Sequence, residues 1–200
     1  MSTAAQASTI SQPRFAGNSE ASRSGIWVAV FAITMSFAAL TSALYVRQGS
    51  SDWSHIVVPP ILYLNTLALL LSSLTMEIAR RAKVRDLELT PSSLASPLAW
   101  LAATLALGMA FVAGQFFAWR QLAAQGLFLA TNPNSSFLYV LTGLHAIHVL
   151  AGIAALVFLL GLMAGSHLTF RRHLLDNTAV YWHFMALLWL YLLFVIRTRL

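Results

Sequence analysis

An all-α integral membrane protein of five transmembrane helices is the fold class this sequence predicts, and three observations predict it. Hydrophobic residues make up 58% of the 200-residue chain and charged residues only 9%, against roughly a quarter charged in an ordinary globular protein. So few charges cannot clothe a soluble surface. The apolar residues gather into five runs, 26–46, 57–76, 98–119, 137–163 and 177–196, each near the roughly 20 residues a helix needs to cross the hydrocarbon. No Lys, Arg, Asp or Glu interrupts the interior of any run. Helices are the spanning form, because a tilted barrel strand takes only about 10 residues.

The elements follow in chain order. Residues 1–25 are polar, rich in Ser and Ala and poor in bulky apolar side chains, the composition of a disordered N-terminal tail. A secretory signal is not expected, since the first apolar run is longer than a usual signal core. Arg14, Arg23 and the serines resemble a transit peptide, but Pro13 and Gly17 weaken the amphipathic helix it would need. Residues 26–200 form the membrane domain. "RQGSSDW" closes the first span. The polar stretch "ARRAKVRDLELTPSSLASP" separates the second from the third, and Ser96-Pro97 supplies a cap and a first helical residue. "TNPNSS" precedes the fourth span, with Asn132-Pro133 as the breaker. Gly161 and Gly165 make the sole Gly-x-x-x-Gly, near the end of that span, a spacing that permits close helix contact. Trp100 and Trp119 stand about 28 Å apart along the third helix, a separation that suits the two interfaces of a bilayer.

Charge and cysteine usage narrow the chemistry. The absence of cysteine removes disulfides, thiolate zinc, iron–sulfur clusters and covalent c-type haem. The net charge of +6 reflects membrane topology rather than nucleic-acid binding, because the cations lie between the apolar runs. Arg14, Arg23, Arg80, Arg81, Lys83, Arg85, Arg171 and Arg172 fall on one side; Arg47, Arg120, Arg197 and Arg199 fall on the other. The richer side is cytoplasmic by the positive-inside rule, so the N-terminus is expected in the cytoplasm and the C-terminus outside. No internal repeat supports an inverted-repeat transporter.

Polar groups within the spans are the informative ones, because each must find a partner in protein. The second span carries Asn65, Thr66, Ser72, Ser73 and Thr75; the fourth Thr142, His145 and His148; the fifth Tyr181, Trp182, His183 and Trp189. His145 and His148 are separated by about 300° and share one helix face. They can meet a common partner but cannot be the two opposite ligands of one haem. Four readings of the histidines stand. His183 opposite His145 or His148 would clamp a b-type haem. Three imidazoles would bind zinc or copper, although no carboxylate lies beside them within the apolar runs. Neutral histidine would relay protons, although no intramembrane acid is there to pass them on. Neutral histidine would hydrogen-bond to Thr, Ser, Asn or Tyr of neighbouring helices, and this structural reading fits the residues best.

Four stretches, each in its own span and in order, resemble subunit III of the haem–copper oxidases in its short five-helix bacterial form. They are "PPILYLNTLALLLSSLT", "GMAFVAGQFFAWRQLAAQG", "SFLYVLTGLHAIHVLAG" and "YWHFMALLWLYL". The resemblance implies a non-redox accessory subunit that packs against catalytic subunit I, beside subunit II, of a respiratory terminal oxidase in the bacterial cytoplasmic membrane. It implies no catalytic, cofactor or metal site in this chain, with haem and copper in the partner subunits. It implies phospholipid bound in a cleft between helix groups, and a supporting part in proton uptake and turnover stability. Asn65, Thr66, Ser72, Ser73, His145, His148, Tyr181, Trp182, His183 and Trp189 match motif positions and are expected at helix interfaces or the lipid cleft. Asp176 matches an acid at the mouth of the last helix. Two positions depart from the pattern: Ile33 and Ala186 stand where many members carry an intramembrane acid. That departure keeps the accessory protein of a nitric oxide reductase as an alternative, with a b-type cytochrome behind it.

Overall fold

The computed structural model describes residues 16–49, 59–88, 97–164 and 172–200, and the side chains of 24–49, 59–82, 97–163 and 173–200. Five helices account for nearly all of these: α1 Ala16–Arg47, α2 Ile61–Glu88, α3 Pro97–Ala124, α4 Pro133–Ala164 and α5 Arg172–Arg199. Each contains a segment long and apolar enough to cross a membrane.

The helices outrun the apolar runs that mark them, because the backbone ladder propagates past the hydrocarbon boundary wherever no breaker intervenes. α1 begins at Ala16, so the expected tail overlaps it; residues 1–15 lie outside the described residues. α2 begins later than the run starting at 57. Pro59 and Pro60 lack amide donors, and the first bonds after them are short-range, from Leu62 N to Pro59 O and from Tyr63 N to Pro60 O. Pro97 and Pro133 open α3 and α4 as the first helical residue, where a missing N–H costs nothing. Residues 50–58, Ser96, Gly165 and the side chains of Lys83 and Arg85 lie outside the described residues.

α2, α3, α4 and α5 form a four-helix ring in that order, each packed on the next and α5 closing back onto α2. α1 stands outside the ring against α4 and α5, without backbone contact to α2 or α3. It buries Ile33, Phe37, Thr41 and Leu44, a three-to-four-residue spacing that forms one narrow stripe. Trp27, Val28, Phe31 and Met35 on its other faces are exposed, as befits a helix whose outer solvent is lipid.

Candidate functional site

Two tryptophans of α5 occupy the middle of the ring, and each reaches all three other ring helices. Both are fully buried. Trp182 donates Nε1–H to Ser72 Oγ on α2 at 2.8 Å. Its ring is received by two glycines: a Cβ added at Gly108 of α3 would stand 2.8 Å from Cη2, and one at Gly152 of α4 would stand 3.0 Å from Cζ3. Ser72 Oγ donates onward to Thr104 O on α3 at 3.2 Å, and Thr104 Oγ1 meets Thr75 Oγ1 at 2.9 Å. Seven residues on, Trp189 donates to Thr66 Oγ1 on α2 at 2.9 Å. It stacks edge-on with Phe111 of α3 at 4.9 Å and tilts against His145 of α4 at 5.2 Å.

The spacing explains the arrangement. Seven residues are two turns, so both indoles leave α5 on one face. Their partners on α2 run the opposite way, Ser72 then Thr66, as antiparallel packing requires. Burial of an indole demands a partner for its N–H, and a hydroxyl on the facing helix supplies one without adding charge.

The three histidines have three different surroundings. His145 is fully buried among Phe37, Phe111 and Trp189, and neither ring nitrogen has a hydrogen-bond partner among the described residues. His148 also meets Phe37, at 5.9 Å, and donates Nδ1–H to Leu144 O of its own helix at 2.7 Å. Phe37 is thus a partner common to both rings, as their shared face allows, through ring contact alone. His183 alone meets a hydroxyl on another helix: its Nδ1 and Ser73 Oγ are 2.5 Å apart. Among the described residues, no three of His, Asp and Glu gather as a metal-holding group.

A carboxylate just outside the apolar runs lies beside one of these histidines. Glu77, one residue past the apolar run, places Oε2 3.6 Å from His183 Nε2. The apolar count stopped at Met76, but α2 continues and turns Glu77 onto the Ser73 side of the helix, four residues on. Glu77 accepts two bonds from Arg80 at 2.8 Å and one from Arg81 at 2.7 Å. Arg80 also reaches Asp176 Oδ1 at 3.7 Å. Glu77, Arg80, Asp176 and His183 line a cavity of about 580 Å³, with Ile26 and Trp27 also on its walls. It lies where α1 and α2 stand apart above the first half of α5.

The remaining motif residues, Asn65 and Tyr181, sit at helix interfaces. Asn65 is buried with its Nδ2 unpartnered, and its Oδ1 occupies the space a Cβ at Gly114 would need, 1.9 Å away. Tyr181 OH donates to the carbonyl of His148 at 2.9 Å, linking α5 to α4. Ile33 and Ala186 are both buried, and an acid at either place would need a partner of its own. Sequence reasoning did not single out Phe37, Thr104 or Phe111. Phe37 and Phe111 are apolar residues in apolar runs, with no local signal.

A family model described as cytochrome c oxidase subunit III matches residues 22–198. A probable quinol oxidase subunit 3 of Staphylococcus saprophyticus is 28% identical over 197 residues, 93% of this chain and 92% of that protein. A cytochrome c oxidase subunit 3 of Corynebacterium diphtheriae is 29% identical over 147 residues, 71% of this chain and 68% of that one. A probable cytochrome c oxidase subunit 3 of Mycobacterium tuberculosis is 33% identical over 98 residues, 48% of each.

Proposed function

The chain belongs to the cytochrome c oxidase subunit III family, and on that premise we propose that it is the non-redox accessory subunit of a haem–copper terminal oxidase. In this reading it packs against catalytic subunit I, beside subunit II, holds phospholipid, and supports proton uptake and survival of the complex through turnover. It is a multi-pass membrane protein; bacterial relatives support the cytoplasmic membrane as its place, and the distribution of Lys and Arg supports an N-terminus in the cytoplasm and a C-terminus outside.

The observation that carries the reading is the use made of the polar motif residues. Ser72, Thr66 and Ser73 are each engaged by a side chain of α5, namely Trp182, Trp189 and His183. His145 is enclosed by three aromatic rings. These are the contacts of a scaffold. The cavity between α1 and α2 supports the lipid reading through its apolar wall, Trp27 and Ile26; Arg80, paired with Glu77 and near Asp176, meets a headgroup phosphate only by sharing its guanidinium with those carboxylates.

Solubilisation of native membranes in mild detergent tests the reading. The chain should travel with a haem-bearing catalytic subunit, and alone it should be colourless. Removing it should leave haem reduction intact while activity decays faster during turnover. An unchanged lifetime would count against the supporting role. A Soret band in the isolated chain, lost on His183→Ala, would establish the cytochrome instead. The apolar Ile33 and Ala186 favour a second reading, the accessory protein of a nitric oxide reductase, which the gas reduced by the co-purifying partner decides.

A further inference from the structure

We propose that residues 125–132, the connection between α3 and α4, are a lipid-surface anchor, lying in the headgroup zone with Phe128 and Leu129 sunk toward the acyl chains. The connection leaves one membrane-crossing segment, Pro97–Ala124, and enters the next, Pro133–Met163. At its tip Phe128 and Leu129 are 57% and 55% exposed. Two adjacent large apolar side chains on a loop call for a cover other than water.

Three observations select lipid as that cover. The first is the backbone. Irregular chain survives in apolar surroundings only where the protein itself satisfies its polar groups. Here every carbonyl from Gly126 to Leu129 accepts a hydrogen bond from a nearby side chain. Thr131 Oγ1 donates to Gly126 O at 3.2 Å, Tyr139 OH to Leu127 O at 2.9 Å, Ser135 Oγ to Phe128 O at 2.8 Å and Ser136 Oγ to Leu129 O at 2.5 Å. The amide of Phe128 donates in turn to Thr131 Oγ1 at 3.0 Å. Gly126 takes a φ of 78°, which starts the turn.

The second is height. The rings of Trp119 and Tyr139 lie 6.4 Å apart, and Tyr139 OH bonds the loop directly. Trp and Tyr collect at the membrane–water boundary, so this pair sets the loop at that level. The third is charge. Arg120 is exposed, and no carboxylate partner reaches it among the described residues. A cation close in the chain to two apolar side chains complements a phosphate above an acyl chain, and not the apolar flank of a partner helix.

The chain has no cysteine, so Leu129→Cys gives one site for a nitroxide in the full chain. The label is read first in vesicles of phosphatidylcholine with phosphatidylglycerol, then in the complex the chain purifies with. Collisions with oxygen should exceed those with a water-soluble nickel chelate in both settings. Phe128→Cys, labelled and read in the same way, covers the case in which the label at 129 disturbs the loop. A nickel-dominated signal means water and overturns the proposal. Protection from both reagents means a protein cover and overturns it equally. Phosphatidylglycerol should deepen the label, and Arg120→Gln should abolish that difference. A depth indifferent to phosphatidylglycerol in the otherwise unchanged chain overturns the role of Arg120.

Discussion

Trp182 gives its indole hydrogen to Ser72 Oγ at 2.8 Å across the α5–α2 interface, while its ring edge lies against Gly108 and Gly152. One side chain therefore fixes the spacing of four helices. The hydrogen bond and the packing are separable. Interhelical hydrogen bonds within membranes average about 0.6 kcal/mol. Truncating a buried indole to alanine costs about 3–5 kcal/mol in soluble hosts, part of it as a cavity term of about 24 cal/mol per Å³. Lipid is itself apolar, so the transfer part shrinks in a bilayer and the cavity part stays.

Trp182→Phe should accordingly lower stability by about 1 kcal/mol, and Trp182→Ala by several times that. Thermal unfolding of the purified chain in detergent measures both. A double-mutant cycle with Ser72→Ala isolates the bond, with an expected coupling of about 0.6 kcal/mol. Coupling near zero would mean that packing alone holds the contact.

The glycines of α3 give a second prediction. A methyl at Gly114 would stand 1.9 Å from Asn65 Oδ1 and 2.7 Å from its Cγ. Asn65 is buried on the facing helix, so it must move or α2 and α3 must part. Gly114→Ala should cost about 1–3 kcal/mol, the usual range for overpacking, and adding Asn65→Ala should recover much of it. At Gly108 the obstacle is the Trp182 ring, 2.8 Å from the added carbon, and Gly108→Ala should be destabilising by a similar amount. Both comparisons are midpoint shifts in thermal unfolding.

These two contacts also show what the sequence discloses. The five spans are legible because lipid imposes length and polarity on each helix regardless of its neighbours. Ser72, Thr66 and His183 stand out because a polar group inside an apolar run is costly unless used. Their pairing with Trp182, Trp189 and Ser73 depends on helix rotation and on the ring order, which composition does not carry. Gly108 and Gly114 are read only when something is seen to fill the space beside them. Glu77 was passed over for a different reason: an apolar-run count ends at the first charge, whereas the helix carrying that charge continues and brings it to His183.

His145 offers a third prediction, and its sign is unusual for a buried motif residue. Both ring nitrogens lack partners among the described residues while Phe37, Phe111 and Trp189 surround the ring. A buried polar group without a bond costs about 1–3 kcal/mol. His145→Leu, similar in size and apolar, should leave thermal stability unchanged or raise it. A fall of more than about 2 kcal/mol would mean that the imidazole contributes through its ring packing or through a bond to a group outside the described residues, such as a buried water or a partner group.

The cavity between α1 and α2 separates two arginines that bind the same carboxylate. Arg80 and Arg81 both bond to Glu77, but Arg80 lines the cavity and Arg81 is 75% exposed. Surface ion pairs contribute only about 0–1 kcal/mol, so neither Arg80→Gln nor Arg81→Gln should move the unfolding midpoint much. Their effects on retained lipid should differ. If a phospholipid headgroup sits in the cavity, Arg80→Gln should reduce the phosphorus that co-purifies with the chain, and Arg81→Gln should leave it unchanged. Phosphate analysis after identical detergent washes makes the measurement. Equal losses in the two variants would point to diffuse attraction by the basic end of α2, and equal retention would leave the cavity without a phosphate ligand.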